Sequence, residues 1–238
     1  MITLRVDSQG NQLLRLLSED DQRLILPQVQ TVQLAPRQVL YEAGDPITRL
    51  YFPNECVISL VIVLPDGNSV EPATVGNEGV IGAGGLLSGD VSFSRQVVQI
   101  GGSAIVMGRQ AVLRGLDACP RLRAVLHAHA DAFAAQLMQS VACNTMHTAE
   151  QRLARYLLTS VDRTGDMVIP TTQEFMAATL GVRRPTVSLV AQALQTAGLI
   201  RSQRGSTAIV DREGLEKVAC PCYRIIGDNY RRQLKNVG

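Results

Sequence analysis

The chain has 238 residues, of which 46% are hydrophobic, and a formal net charge of +2; this length suits one large domain or two modest ones with real cores. No apolar stretch approaches the ~20 residues of a membrane span, and the N-terminus lacks a secretory signal pattern. Five cysteines, an odd number, indicate a reduced compartment, so we expect a cytoplasmic protein with no membrane partner.

Residues 1–118 are predicted to form an antiparallel β-roll. Turn signals such as Gly44-Asp45-Pro46 divide the region into short β-rich runs, and evenly spaced short strands are typical of a roll or barrel. A helix is expected before them, near Asn11–Leu17. The predicted strands are Val29–Leu34, Leu50–Phe52, Val57–Leu64, Val70–Val75, Gln96–Ile100 and Ala104–Met107.

Residues 119–147 are predicted to form a long helix and a hinge. The helix starts at Cys119-Pro120 and runs to about Asn144 with a near-heptad apolar seam. The seam could lie on the chain's own roll or pair with a second copy, and we expect both, on different faces. The hinge, near Cys143–Thr148, leads into a second helix at about Ala149–Val161. The seam residues are Leu122, Leu126, Phe133, Leu137 and Val141.

Residues 148–214 carry the pattern of a helix-turn-helix followed by a hairpin. Thr171 or Thr172 can cap the first helix, Thr171 and Glu174 have the capping-box spacing, and Gly181 permits the sharp turn. Pro185 suits the first position of the second helix, because its missing N–H would have no helical partner there. Apolar residues at helical spacing should face inward on both helices. They are Met176, Ala177, Leu180, Val187, Val190, Ala191 and Leu194.

Two short strands, Leu199–Ser202 and Ser206–Val210, flank Gly205 and predict a wing. Arg204, Ser206 and Thr207 at its tip could contact phosphate. Residues 215–238 are predicted to form a C-terminal helical extension that ends near Leu234.

The charge is unevenly divided between the two parts of the chain. Residues 150–238 contain thirteen Arg or Lys and eight Asp or Glu, a net +5, whereas residues 1–149 contain ten and thirteen, a net −3. Because DNA binding needs local positive charge, the C-terminal part is the expected DNA-binding part. A coding bias toward arginine is the alternative explanation.

Cysteines and histidines give only weak evidence of a metal site. Cys143 and His147, at positions i and i+4, could share a helix face, but two ligands are few. Cys220-Pro221-Cys222 could form a redox switch or a metal clip, although packed or exposed thiols are favoured. His127 and His129 could bind haem, although packing near the seam is favoured. We therefore predict no metal site and no cofactor.

This order of parts resembles the Crp/Fnr family of bacterial transcription regulators. The motifs that carry the resemblance are Gly76-Asn77-Glu78-Gly79-Val80-Ile81-Gly82 and Thr172-x3-Met176-Ala177-x3-Gly181-Val182-x-Arg184-x-Thr186-Val187-Ser188. The resemblance spans almost the whole chain and implies an α+β fold: a double-stranded β-helix roll of the cyclic-nucleotide-binding type, a dimerisation helix and a winged helix-turn-helix. It further implies a homodimer on a two-fold symmetric DNA operator, with RNA polymerase as a further candidate partner.

By this resemblance Arg184 corresponds to a base-reading arginine, which suits bidentate pairing with guanine. Pro185 and Leu189 stand where many members carry a glutamate and another arginine, so the operator should differ from the best-known consensus. The candidate DNA-binding residues are Thr172, Arg183, Arg184, Thr186, Ser188, Gln192, Arg204 and Ser206.

The cyclic-AMP pocket of the family is poorly matched. Ala83 replaces a glutamate that accepts from the ribose, an Arg-Ser pair is reversed to Ser94-Arg95, and apolar residues replace two hydroxyl residues on the long helix. A one-residue shift in a strand turns a side chain to the other face, and an unpaired phosphate would be desolvated without compensation. We expect no tight cyclic-AMP binding; another, unknown small molecule or a packed core are the alternatives. The candidate pocket residues are Gly82, Ala83, Ser94, Arg95, Leu137 and Met138.

Two other classes of function compete with this interpretation. No local Ser-His-Asp signature, H-E-x-x-H motif or close carboxylate pair is present in the sequence, so we predict no catalytic residues and no enzyme. A ligand-binding regulatory module that acts by protein contacts without DNA is the alternative. The predicted wing and the basic C-terminal part argue against it.

Overall fold

A computed structural model describes residues 10–67, 69–88 and 91–237; residues 1–9 of the predicted roll domain lie outside this range. The N-terminal half contains α1 (Gln12–Arg15), α2 (Glu19–Ile25), a 3-10 turn (Leu26–Gln28), β1 (Val29–Leu34), β2 (Val39–Tyr41), β3 (Arg49–Pro53), β4 (Val57–Val63), β5 (Ser69–Val75), α3 (Ala83–Ser88), β6 (Arg95–Ile100), β7 (Gly102–Gly108) and α4 (Arg109–Ala118). The C-terminal half contains α5 (Pro120–Met146), α6 (Ala149–Thr164), β8 (Val168–Ile169), α7 (Gln173–Leu180), α8 (Arg184–Thr196), β9 (Ile200–Gln203), β10 (Ser206–Ile209), α9 (Arg212–Val218) and α10 (Cys222–Lys235).

The predicted antiparallel β-roll is confirmed. Its strands form two antiparallel sheets, with the orders β1-β7-β3 and β2-β6-β4-β5. Leu50 and Phe52 on β3 and Ile58 on β4 are fully buried in the core between the sheets. The predicted helix near the N-terminus is α1, which Asn11 caps by accepting from the Leu13 and Leu14 amides.

Several elements of the roll were not predicted from the sequence. Strand β2 has only three residues, and it follows Arg37, which has a left-handed backbone with φ of 70°. Helix α3 contains Gly84 and Gly85, and glycine is a poor helix former. Helix α4 lies inside the segment assigned to the roll, and it buries Val112 and Leu116 against the core.

Helix α5 packs its first half against the roll of its own chain. Cys119 caps it and Pro120 occupies its first turn; Leu122 and Leu126 are buried in the roll's core, and Phe133 packs against the same core. Val141, by contrast, is 70% exposed. The predicted seam therefore does not follow one face, because a straight helix drifts about 20° per heptad relative to a 3.5-residue repeat.

His129 also lies within its own chain rather than at a seam. Its ring is 4% exposed, stacks on Phe133 at 5.8 Å, and lies 3.1 Å from the Val80 carbonyl oxygen through Nε2. Burial lowers the pKa of His129 to about 4. His129 is therefore a neutral side chain that packs in the protein interior.

The predicted hinge is a short break between two capped helices. Helix α5 ends at Met146 with His147 as its C-cap, and Thr148 caps α6 in a capping box with Gln151. Helix α6 extends three residues past the predicted Val161, to Thr164, and Gly165 follows as its C-cap in the left-handed conformation.

A second core forms the winged helix-turn-helix. Leu153 and Leu157 of α6 pack with Val187 and Leu194 of α8, and with Ile209 of β10. The two-residue strand β8 adds a third strand in the order β8-β10-β9. Helix α10 then returns along α5, where Tyr230 and Leu234 are buried.

The two cores meet through a buried ion pair. Arg163 of α6 contacts Glu78 through Nη2 at 2.5 Å and Nε at 3.1 Å, and it also donates to the Thr74 carbonyl oxygen at 3.0 Å. Gly76 lies beneath this side chain, since a Cβ there would come within 2.5 Å of the Arg163 chain. The Glu78 motif therefore joins the roll to the helix-turn-helix.

Candidate nucleic-acid interface

Helix α7 is capped by Thr172, whose hydroxyl accepts from the Phe175 amide at 3.1 Å. The predicted box between Thr171 and Glu174 is wrong, because Thr171 is buried and its hydroxyl accepts from the Tyr156 hydroxyl at 3.3 Å. Gly181 ends the helix with φ of 60°, as the tight turn requires. The turn thus sets the direction of α8.

Helix α8 is anchored by one face. Val187, Ala191 and Leu194 are buried, as predicted, and Val190 packs against the same cluster. Arg183 is the N-cap and α8 begins at Arg184, so Pro185 occupies the second position rather than the predicted first. Its missing N–H costs no helical hydrogen bond there, because the first four N–H groups of a helix have no helical partner. The N-terminal turn and the opposite face are left to solvent.

That outward face carries the predicted DNA-contacting residues. Arg183, Arg184 and Gln192 are exposed, and Thr186 and Ser188 are half-buried. Among the described residues, neither Arg183 nor Arg184 forms an ion pair with an acidic side chain. The positive ends of both side chains are therefore available to an external anion.

Ser188 is already engaged within the motif. Its hydroxyl lies 2.7 Å from Gln173 Oε1 on α7 and 3.2 Å from the Arg184 carbonyl oxygen. A hydroxyl has one proton but two acceptor lone pairs. Ser188 could therefore still accept a hydrogen bond from a base edge while it positions α8 against α7.

The wing is a tight hairpin around Gly205, whose φ is 82°. Arg204 is exposed and Ser206 is half-buried, with Ser206 opposite Gln203 in the register. Thr207 is only 1% exposed, and it borders the space between the wing and α7. A contact between Thr207 and phosphate stays a prediction.

The helix-turn-helix and the wing together form an open groove of about 440 Å³. Thr172, Arg184 and Arg204 line it, together with Gln173, Glu174 and residues of the wing. Three of the predicted DNA-binding residues, from α7, α8 and the wing, therefore share one concave surface. Thr186, Ser188, Gln192 and Ser206 lie outside its lining, as does Arg183.

The predicted effector pocket is less coherent. Ala83 and Ser94 are buried and Gly82 has φ of 92° before α3. The Arg95 side chain is 43% exposed and pairs with Glu42 at 3.4 Å, and Met138 is 69% exposed. Leu137 is half-buried. A pocket shared by all six residues stays a prediction.

A small polar cavity that the sequence did not reveal lies between β5, α5 and α6. Its volume is about 40 Å³, and Gln136, Ser140, Arg155 and Tyr156 are among its lining residues. Glu71 also lines the cavity. Burial raises the pKa of Glu71 to about 7, although hydrogen bonds donated by Ser59 and Thr179 act in the opposite direction and lower it. Thr179 belongs to α7, so this carboxyl group connects the roll with the helix-turn-helix.

One set of side chains could hold a metal ion, contrary to the expectation of none. Cys143, His147, Cys220 and Cys222 converge where α10 meets the end of α5. Cys220 and Cys143 lie 77 residues apart in the chain, so only the packing of α10 on α5 could reveal the group.

Comparison with known proteins supports the fold and the domain type. Residues 151–218 match the family model of the Crp-like helix-turn-helix domain. FixK2 from Bradyrhizobium japonicum is similar in structure, with a TM-score of 0.68 and 18% sequence identity over 81% of this chain and 98% of that chain. No curated protein matches the sequence.

Two further solved structures agree. The c-di-GMP-responsive global regulator CLP, from Xanthomonas campestris, has a TM-score of 0.64 and 15% identity over 81% of this chain and 99% of that chain. A Crp/Fnr-family transcriptional regulator from Thermus thermophilus has a TM-score of 0.64 and 22% identity over 80% of this chain and 98% of that chain. Among the described helices, none combines the length and apolarity needed to cross a bilayer.

The resemblance to transcription regulators is thereby confirmed at the level of fold and domain type: the chain carries a Crp-like helix-turn-helix domain within the overall fold of the Crp/Fnr regulators.

Proposed function

We propose that this protein is a sequence-specific DNA-binding transcription regulator that acts as a homodimer on a two-fold symmetric operator. The observation that carries the proposal is the groove that Arg184, Thr172 and Arg204 line together. Arg184 belongs to α8, and the opposite face of that helix is buried through Val187 and Leu194. A recognition helix in a major groove needs this arrangement: a buried face, and a polar N-terminal end directed outward.

Each DNA-facing group has a distinct role in the proposal. Arg184 pairs with a guanine, and Ser188 and Gln192 face the neighbouring bases. Thr172, Thr186, Arg183, Arg204 and Ser206 contact the phosphate backbone, which fixes the position of the helix but reads no sequence. The net charge of +5 over residues 150–238 supports this division, because phosphate contacts supply much of the affinity.

The proposed dimer forms along the second half of α5. Ala134, Met138, Val141 and Thr145 recur at spacings of four, three and four residues and are all exposed; Met138 and Val141 are 69% and 70% exposed. Such spacing is typical of a helix that pairs with its own copy. Two copies paired along α5 would set the distance between two α8 helices.

We further propose that cyclic AMP does not control the protein. Ala83 and Met138 stand where the resemblance implies polar ligand groups, and Arg95 is paired with Glu42 at the surface. The proposal also includes an unknown small-molecule effector and contact with RNA polymerase. It places the protein in the cytoplasm and assigns it no enzymatic activity. The proposed parts are 1–118, 119–147, 148–214 and 215–238.

Electrophoretic shift with fragments of the gene's own upstream DNA tests the proposal. We expect the wild type and Arg23→Ala to bind alike, because Arg23 is an exposed arginine on α2, 71% exposed, away from the interface. Arg184→Ala should bind about 1–3 kcal/mol more weakly. Equal shifts by all three proteins would contradict the role of α8.

The alternative, a regulatory module that acts by protein contacts without DNA, makes a different prediction. It predicts no shifted band with any DNA fragment, for the wild type and both variants.

A further inference from the structure

Four side chains of metal-ligand type meet where the start of α10 lies against the end of α5. Cys143 lies in the last turn of α5, and His147 is the C-cap of that helix, one turn later. Cys220 precedes α10 and Cys222 is its first residue. The three cysteines form a buried cluster of their own, separate from the two apolar cores, and His147 is half-buried.

The ligand atoms are spaced for a single ion. The Sγ atoms of Cys143 and Cys220 lie 3.5 Å apart, Cys222 Sγ lies 3.5 Å from His147 Nδ1, and all four atoms fall within 4.8 Å of one another. A tetrahedral zinc ion with bonds of about 2.3 Å to sulfur and 2.0–2.1 Å to nitrogen places its ligands roughly 3.5–3.8 Å apart. The two shortest pairs match this spacing, and the remaining pairs, which all lie within 4.8 Å, need a contraction of no more than about 1 Å to close around an ion.

A disulfide explains the cluster less well. All five cysteines of the chain are free thiols, and the sulfurs of Cys143 and Cys220 are well beyond the ~2.05 Å of a bond. A disulfide would also use two of the four groups and leave Cys222 and His147 unexplained.

The surroundings suit a thiolate-rich site. Gln139 Nε2 donates to Cys222 Sγ at 3.1 Å, which is the kind of outer hydrogen bond that orients a metal ligand. Three thiolates and one imidazole around Zn²⁺ leave a net charge of −1, and the positive charge of Arg155 interacts with Cys143 and Cys220.

We propose that Cys143, His147, Cys220 and Cys222 bind one zinc ion as a closed structural site. Four protein ligands leave no open position for a substrate, which is the mark of a structural rather than a catalytic zinc. The ion would clip the start of α10 to the end of α5, beside the break that leads into α6. It would therefore hold the long helix and the DNA-binding part in a fixed relation.

Metal analysis of the full-length protein, purified without chelator, tests the proposal. We expect one zinc per chain in the wild type and in Cys56→Ser, which removes a buried cysteine outside the cluster. Cys222→Ser and His147→Ala should lose the zinc. Iron in place of zinc, no bound metal, or a Cys143–Cys220 disulfide found by mass spectrometry would each overturn the proposal.

A spectroscopic measurement keeps the test decisive if a variant fails to fold. Co²⁺ added to chelator-treated wild type should give the visible bands of tetrahedral cobalt and the near-ultraviolet absorption of cobalt–thiolate bonds, at one equivalent per chain. Stoichiometric Zn²⁺ should displace the cobalt and raise the melting temperature. The absence of the cobalt bands, or a melting temperature that does not rise when zinc is added, would contradict the site.

Discussion

Replacement of Arg163 by methionine should destabilise the protein by about 3–5 kcal/mol, because it leaves a carboxylate buried without its counter-charge. The two side chains are only 6% and 11% exposed, and Arg163 reaches both carboxylate oxygens of Glu78. In this variant, Glu78 still accepts a hydrogen bond from the Gly76 amide, whose nitrogen lies 3.2 Å from Oε1. One backbone N–H cannot replace a bidentate guanidinium.

A second ion pair of similar length, at the surface, tests whether burial determines the cost of losing the arginine. Arg231 and Asp228 are nearly as close, at 2.6 Å, but are 71% and 70% exposed. Arg231→Met should therefore cost less than about 1 kcal/mol. The double variant Arg163→Met with Glu78→Gln should recover part of the loss, because it also removes the stranded charge.

Urea unfolding, followed by circular dichroism and tyrosine fluorescence, measures these differences; the chain has no tryptophan. Two cores could unfold in separate steps, so both probes are needed to establish whether one transition is seen. The burial argument fails if Arg163→Met unfolds at the same urea concentration as Arg231→Met, or if the double variant is less stable than Arg163→Met.

Three more predictions concern the buried carboxyl group of Glu71, the exposed face of α5 and the cyclic-AMP pocket. The folded pKa of Glu71, about 7, lies above its ordinary 4.5, so its contribution to stability is complete below pH 4.5 and is lost as the pH rises through 7; Glu71→Gln should remove this loss in thermal melts, and parallel pH profiles would contradict the assignment. Val141→Glu on the exposed face of α5 should convert a dimer to a monomer in analytical ultracentrifugation, whereas Glu at the exposed Leu24 on α2 should not. Calorimetry should detect no tight binding of cyclic AMP, and a micromolar dissociation constant would refute the interpretation of Ala83 and Met138.

Local patterns in the sequence predicted the parts of the molecule that depend on short-range rules. The period of Val187, Ala191 and Leu194 placed the buried face of α8, and Gly181 marked the turn that needs positive φ. Strands such as Val29–Leu34 were bounded correctly. These features follow from side-chain periodicity and backbone sterics, which one segment alone determines.

Features that depend on contacts between distant segments could not be predicted. Strand β8 has two residues and exists only because it pairs with β10. The sequence alone does not distinguish Thr171 from Thr172 as the cap of α7, because the choice depends on the hydrogen bond that Tyr156 of α6 donates to Thr171. Likewise, the return of α10 along α5 brings Cys222 to His147, which spacing in the sequence did not suggest.

The central claim is that two copies of α8 read DNA together, and selection of bound fragments from a random DNA pool tests it most directly. The wild type should enrich a two-fold symmetric sequence whose half-sites are centred about one helical turn, or a multiple of it, apart. Arg184→Ala should lose a guanine preference at one position in each half-site. Failure to enrich any symmetric sequence, or enrichment of the same sequence at full strength by Arg184→Ala, would contradict the account.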